Sequence, residues 1–174
     1  MMLNSNRRTM LYAGVAALAA LVGGGIAWKR QVEEIAPELM NDFWSTEFDA
    51  PTGELLSMRA LQGHPLVINF WATWCTPCIE EMPLIDAFFR ENKQKGWQVL
   101  GLAIDQPSRV RQFLSQFPVS YSIGLAGLNG TEMSKKLGNE VGGLPFTVVL
   151  DANGRLIQRK LGKLSVDDIN KWSI

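Results

Sequence analysis

The chain has 174 residues, which suits one globular domain and a small additional segment but leaves no room for a second catalytic domain. Lysine plus arginine and aspartate plus glutamate both number 17, so the formal net charge is zero. Because the sequence also has no long basic run, neither a nucleic acid nor an acidic surface is indicated as the partner.

An uncharged apolar segment covers residues 9–28. As a helix rising 1.5 Å per residue it spans roughly 30 Å, the hydrocarbon core of a bilayer, and it predicts a transmembrane anchor. A signal peptide is the alternative, since Arg7 and Arg8 precede it and residues 25–27 fit a small-residue cleavage site. We expect residues 1–8 to lie in the cytoplasm and the rest outside it, as a single-pass inner-membrane protein facing the periplasm if the chain is bacterial.

The chain after the apolar segment divides into a linker and a globular domain. Residues 29–42 are polar around Pro37 and predict the linker, and residues 43–174 predict the domain. The domain opens with two short extended segments around the turn signal at residues 51–53, which predict a hairpin.

Hydrophobic periodicity predicts the later elements in chain order. A continuous apolar run indicates a buried central strand, apolar residues at steps of three and four indicate a helix, and Asn153-Gly154 indicates a second hairpin. The predicted elements are strand 65–72, helix 76–94, strand 97–105, helix 107–117, an extended piece at 119–125, helix 131–138, strands 146–151 and 155–161, and a last helix opened by Ser165 and Asp168. This order predicts an α/β fold with a mixed central sheet flanked by helices.

Both cysteines of the chain lie in one turn at the start of the predicted helix 76–94. The spacing of Cys75 and Cys78 places both sulfurs on one side of that turn, within disulfide range. Cys75 precedes the helix, where free N–H groups favour a thiolate, so we expect it to be the nucleophile and Cys78 the resolving thiol. Thr76 and Pro77 are expected to tune the redox poise, and Trp74 to shape a docking surface.

Two other interpretations of the cysteine pair remain. A structural disulfide this tight closes almost no loop and contributes little stability. A zinc or copper site needs more ligands than two thiolates, and the chain adds a single histidine, His64, in a turn-like segment. We therefore expect no bound metal and no cofactor.

Two stretches resemble the thioredoxin-like superfamily, and within it the membrane-anchored thiol-disulfide oxidoreductases of the TlpA/ResA type. They are "ALQGHPLVINFWATWCTPCIEEMP" at residues 60–83 and "GGLPFTVVLDANGRL" at residues 142–156. The likeness covers roughly residues 43–174. It implies a thioredoxin-like fold in which Pro145 is a cis-proline facing the disulfide and Leu144 pairs through its backbone with an extended substrate.

The sequence departs from the family pattern at two places, Asn69 and Phe146. Asn69 stands where thioredoxins carry a buried aspartate, so that internal proton acceptor is missing. Asp105 matches the place of an acidic residue near the cysteines and is the candidate replacement, although an N-cap role for the following helix is an equal alternative. Phe146 replaces a small polar residue, usually threonine, beside the proline. Glu81 lies in the first turns of the predicted helix, where the helix dipole favours a carboxylate even without a role in the site.

The resemblance implies a membrane-tethered oxidoreductase that reduces selected extracytoplasmic protein disulfides. Its substrates would be of the cytochrome c maturation or copper-site assembly type, and an upstream membrane thiol protein would donate the electrons. The alternatives are a copper-binding chaperone that uses Cys75 and Cys78, and a noncatalytic docking domain on a thioredoxin scaffold.

Overall fold

A computed structural model describes residues 37–172, which form a mixed seven-stranded sheet with helices packed on both faces. The helices are α1 (Pro37–Ser45), α2 (Thr76–Asn92), α3 (Pro107–Gln116), α4 (Asn129–Lys136) and α5 (Val166–Asn170). The strands are β1 (Glu47–Asp49), β2 (Leu55–Ser57), β3 (Leu66–Trp71), β4 (Gln98–Ala103), β5 (Ser122–Leu125), β6 (Phe146–Leu150) and β7 (Leu156–Leu161). The α/β class and the mixed sheet predicted from the sequence are confirmed.

The strands lie in the order β2-β1-β5-β4-β3-β6-β7. β3, β4 and β5 are parallel neighbours, and the remaining pairs are antiparallel. Both predicted hairpins are present, as β1–β2 and β6–β7. Because the carboxyl ends of parallel strands meet at one edge of a sheet, the segments that follow β3 and β4 are neighbours in space.

Every residue of the central strand β3 is buried, as its continuous apolar run predicts. Alternate side chains enter different cores, so Val67 and Trp71 pack under α2, whereas Ile68 and Phe70 pack on the opposite face. Asn69 shares the α2 face with Val67 and Trp71, which places a fully buried amide below the active-site helix.

The first helix differs from the sequence prediction, because α1 includes residues 37–42, which the sequence predicts to be part of the linker. Met40, Phe43 and Trp44 recur at helical spacing, and their side chains are 8%, 3% and 8% exposed. Burial of this apolar stripe explains why the segment folds onto the domain.

The predicted anchor at residues 9–28, the tail before it and the first part of the linker lie outside the described residues. Within residues 37–172, no helix combines the length and apolar character needed to cross a membrane.

Candidate active site

The cysteine pair lies between the end of β3 and the first turn of α2. Cys75 is the N-cap residue of α2, with φ −93° and ψ 95°. Its carbonyl oxygen accepts hydrogen bonds from the N–H groups of Cys78 (3.0 Å) and Ile79 (3.2 Å). Cys75 and Cys78 form a disulfide with a Cα–Cα distance of 5.3 Å. The chain geometry therefore holds both sulfurs in one helical turn.

The two sulfurs lie in different electrostatic surroundings. Cys75 is at the helix N-terminus, where unpaired N–H groups favour an anion, and the first turn of α2 contains no acidic residue. Its exposed fraction is 6%, whereas Cys78 is fully buried at 0%. A reduced Cys75 is thus the better placed of the two to be a thiolate that meets a partner.

The residues around the pair form the surface of the site. Trp74 is 64% exposed, and Thr76 and Pro77 are also exposed. Pro77 lies in the first turn of α2, where its missing N–H is not required. These side chains present a partly apolar surface beside the disulfide.

A second loop, immediately before β6, completes the site. The Leu144–Pro145 peptide bond is cis, as the resemblance implies. Leu144 packs against the apolar cluster that contains Cys75 and Cys78. The Pro145 carbonyl accepts a 2.8 Å hydrogen bond from the N–H of Gly162, which ties the proline loop to the end of β7.

A buried carboxyl group lies one helical turn beyond the cysteines. Glu81 follows Cys78 by three residues, so both side chains share one face of α2, and Glu81 is 1% exposed. Its Oε1 accepts from Asn69 Nδ2 at 2.8 Å, and its Oε2 accepts from the Leu164 N–H at 2.7 Å. The carboxyl group therefore joins β3, α2 and the segment after β7.

Burial raises the pKa of Glu81 from its ordinary 4.5 to about 7, although hydrogen bonds from Leu164 and Asn69 and the charge of Lys163 act in the opposite direction. The Lys163 ammonium is paired with the neighbouring Glu80 carboxylate at 2.5 Å, so it does not neutralise Glu81 by a direct contact. A pKa near neutrality lets this carboxyl group exchange a proton under physiological conditions.

Asp105, the acceptor predicted from the sequence, is held by hydrogen bonds from two neighbouring residues. Its Oδ2 accepts from the Thr73 N–H (3.0 Å) and the Thr73 hydroxyl (2.5 Å), and its Oδ1 accepts from the Gln106 N–H (2.7 Å). Burial opposes ionisation, but these hydrogen bonds prevail and lower the pKa of Asp105. Gln106 is the N-cap of α3, so Asp105 does not cap that helix either. The carboxylate ties the segment before Cys75 to the segment after β4.

The two departures from the family pattern have a structural explanation. Asn69 donates hydrogen bonds to Glu81 and, at 3.0 Å, to the Thr147 hydroxyl. Thioredoxins have a carboxyl group at this position, whereas the amide of Asn69 holds the carboxyl group of Glu81. Phe146 is 2% exposed and packs against Phe70 with ring centroids 5.9 Å apart. Phe146 therefore belongs to the core on the opposite face and does not form the rim of the site.

The burial of Glu81 is a feature of the site that the sequence does not predict. The signal in the sequence is its position three residues after Cys78, in a helix with a predicted apolar face. One of its hydrogen bonds comes from the N–H of Leu164, which lies 83 residues away in the chain. His64 is exposed, and residues 37–172 contain no group of three or more histidine, cysteine, aspartate or glutamate side chains arranged to hold a metal ion.

A disulfide at the start of a helix, next to a cis-proline loop on a mixed sheet of this order, defines a thioredoxin-like thiol-disulfide oxidoreductase. The model of the Redoxin family matches residues 36–171, and the chain belongs to this family. It is 30% identical over 143 residues to the thiol-disulfide oxidoreductase ResA of Oceanobacillus iheyensis, covering 82% of this chain and 71% of that protein.

Two solved structures show the same fold. The thioredoxin-related protein from Neisseria meningitidis serogroup B is 35% identical, with a TM-score of 0.58, and the match covers 66% of this chain and 85% of that one. A thioredoxin family thiol:disulfide interchange protein from Chlorobium tepidum TLS is 24% identical, with a TM-score of 0.66 and coverage of 74% and 90%. The chain is a protein thiol-disulfide oxidoreductase, and its substrates are protein thiols and disulfides.

Proposed function

We propose that the protein is a membrane-tethered extracytoplasmic reductase of selected protein disulfides. The observation that carries the proposal is the Cys75–Cys78 disulfide at the N-terminus of α2, in which Cys75 is slightly exposed and Cys78 is fully buried. The apolar segment at residues 9–28 would hold the domain at the outer side of the cytoplasmic membrane.

In the proposed reaction, the Cys75 thiolate attacks one sulfur of the partner's disulfide. The partner's S–S bond breaks, a Cys75–partner disulfide forms, and the first partner sulfur leaves as a thiolate. Cys78 then attacks Cys75, the mixed disulfide breaks, and the second partner thiolate leaves. Two electrons have passed from the Cys75–Cys78 dithiol to the partner, and the protein carries the intramolecular disulfide seen in the structure.

We assign proton transfer at the second step to Glu81. Cys78 is fully buried, so it must lose its proton in a place where a bare thiolate is costly. Glu81 lies one turn away on the same helix face with a pKa of about 7, whereas hydrogen bonds lower the pKa of Asp105. The ionised Glu81 carboxylate is therefore the better proton acceptor of the two.

The partner is proposed to dock as an extended segment along the loop before β6. Within residues 37–172, the backbone N–H and C=O of Leu144 make no hydrogen bond, and the peptide bond that follows is cis. Backbone pairing at this residue would align the partner's disulfide with Cys75, while Trp74 provides apolar area beside it. An upstream membrane thiol protein would return the disulfide to the dithiol, and cytochrome c maturation and copper-site assembly are the proposed substrate types.

A trapping experiment tests this proposal. The full-length Cys78→Ser variant should accumulate mixed disulfides with its partners, whereas the matched Cys75→Ser variant should trap little. Equal trapping by both variants would contradict the assigned roles. A reporter enzyme that works only outside the cytoplasm, fused after Ile174, should be active, and activity of a cytoplasmic reporter alone would contradict the topology.

A further inference from the structure

The loop between α4 and β6 contains a buried side-chain amide that the reaction does not use. Asn139 is 2% exposed. Its Nδ2 donates to the Gly143 carbonyl at 2.8 Å, and its Oδ1 accepts from the Gly143 N–H at 3.1 Å. Nδ2 also lies 3.2 Å from the Ser134 hydroxyl oxygen of α4. One side chain thus binds both backbone groups of Gly143 and joins them to a helix.

This pair of hydrogen bonds reproduces the contacts that a neighbouring β-strand would make with Gly143. The next residue with unoccupied backbone groups is Leu144, because the Pro145 carbonyl is bound by the Gly162 N–H at 2.8 Å and proline has no N–H. Immediately before the cis-proline, the loop therefore offers a partner the backbone N–H and C=O of Leu144. An edge of this kind can add an extended strand.

We propose that Asn139 is a positioning residue for partner binding, which holds Gly143 so that the free backbone of Leu144 faces an incoming extended polypeptide. This inference rests on the proposed function, since it assumes that partners dock at Leu144. A loop that is already ordered does not have to be ordered on binding, and this lowers the entropic cost of association. Without the Asn139 amide, the loop would lose conformational entropy each time a partner binds.

The side chains that border Gly143 indicate which kind of partner segment fits beside the loop. A Cβ atom on Gly143 would lie 3.2 Å from Leu161 Cδ1 and 3.7 Å from Val141 Cγ2, so these two side chains border the glycine. Val141 is 77% exposed and Leu161 is 49% exposed. The geometry suits an extended segment with an apolar side chain next to its cysteine.

The test compares two disulfides that react with the reduced full-length chain. One is a short extended peptide whose single cysteine forms a mixed disulfide with thionitrobenzoate, and the other is dithiobis(nitrobenzoate), which has no peptide backbone. Asn139→Ala should slow the reaction with the peptide about tenfold, which is the effect of losing roughly one hydrogen-bonded contact, and leave the reaction with the small disulfide unchanged. Glu140→Ala, at the exposed neighbouring residue, is the matched control.

Two further measurements decide the outcome. The Gly143 amide should exchange its hydrogen slowly in the wild-type protein and faster in Asn139→Ala. Asn139→Asp, which keeps the acceptor but loses the donor, should react at an intermediate rate, and it decides the question if Asn139→Ala does not fold. Equal slowing of both disulfides, or fast exchange of the Gly143 amide in the wild type, would overturn the role of Asn139. A wild-type protein that reduces the small disulfide and no peptide would instead refute docking at Leu144.

Discussion

Glu81 is a buried carboxyl group whose ionisation the fold opposes, and its replacement by glutamine tests this directly. Glutamine keeps the shape of the side chain and one acceptor oxygen for Asn69 or Leu164, but it cannot ionise. In the oxidised protein both cysteines are in the disulfide and do not titrate. Any pH dependence of the stability difference between the wild type and Glu81→Gln therefore reports on the carboxyl group.

The size and sign of the effect follow from the raised pKa. The pKa rises from 4.5 in the unfolded chain to about 7 in the fold, so between these values the native state binds more protons than the unfolded state. The wild-type free energy of unfolding, relative to Glu81→Gln, is then highest below about pH 4.5 and falls as the pH rises through 7. At about 1.4 kcal/mol for each pH unit, the full loss is roughly 3 kcal/mol.

The assay is chemical denaturation of both oxidised proteins at a series of pH values on either side of this window. Every other ionisable group is common to the two proteins, including the single histidine of the chain, so such contributions cancel in the difference. Glu80→Gln is the matched control, because the Glu80 side chain is 52% exposed and lies next to Glu81 on the same helix. A difference between the wild type and Glu81→Gln that stays constant with pH would refute the proposal that burial raises the pKa of Glu81.

Three other experiments test separate parts of the structure. Asp105→Asn should leave the midpoint of the pH–rate curve for thiol exchange in place, and a shift would restore the proton-acceptor role predicted from the sequence. In the reduced protein, an alkylating agent should modify Cys75 faster than Cys78, and equal rates would contradict their different surroundings. Gly101→Ala should destabilise the fold by about 1–3 kcal/mol in thermal or chemical unfolding, because its Cβ would lie 2.6 Å from Ile123 Cδ1, and unchanged stability would show that the core adjusts.

The sequence alone predicts the features whose causes are local. The apolar run of β3, the helical spacing in α2 and the turn signals of both hairpins depend on residues close together in the chain, and the structure has all of them. The Cys75–Cys78 pair is equally local, because three residues of helix bring the two sulfurs together. The α1 helix was missed because Pro37 and polar neighbours obscured a stripe of only three apolar side chains.

The acid–base chemistry of the site depended on the tertiary structure. Glu81 is close to the cysteines in the sequence, and the family resemblance places Asp105 near them. The sequence alone favours Asp105 as the proton acceptor. We propose the reverse order, because packing removes water from Glu81, whereas Thr73, 32 residues away, donates hydrogen bonds to Asp105. A pKa reports the balance between lost hydration and gained hydrogen bonds, and residues that are distant in the chain decide both.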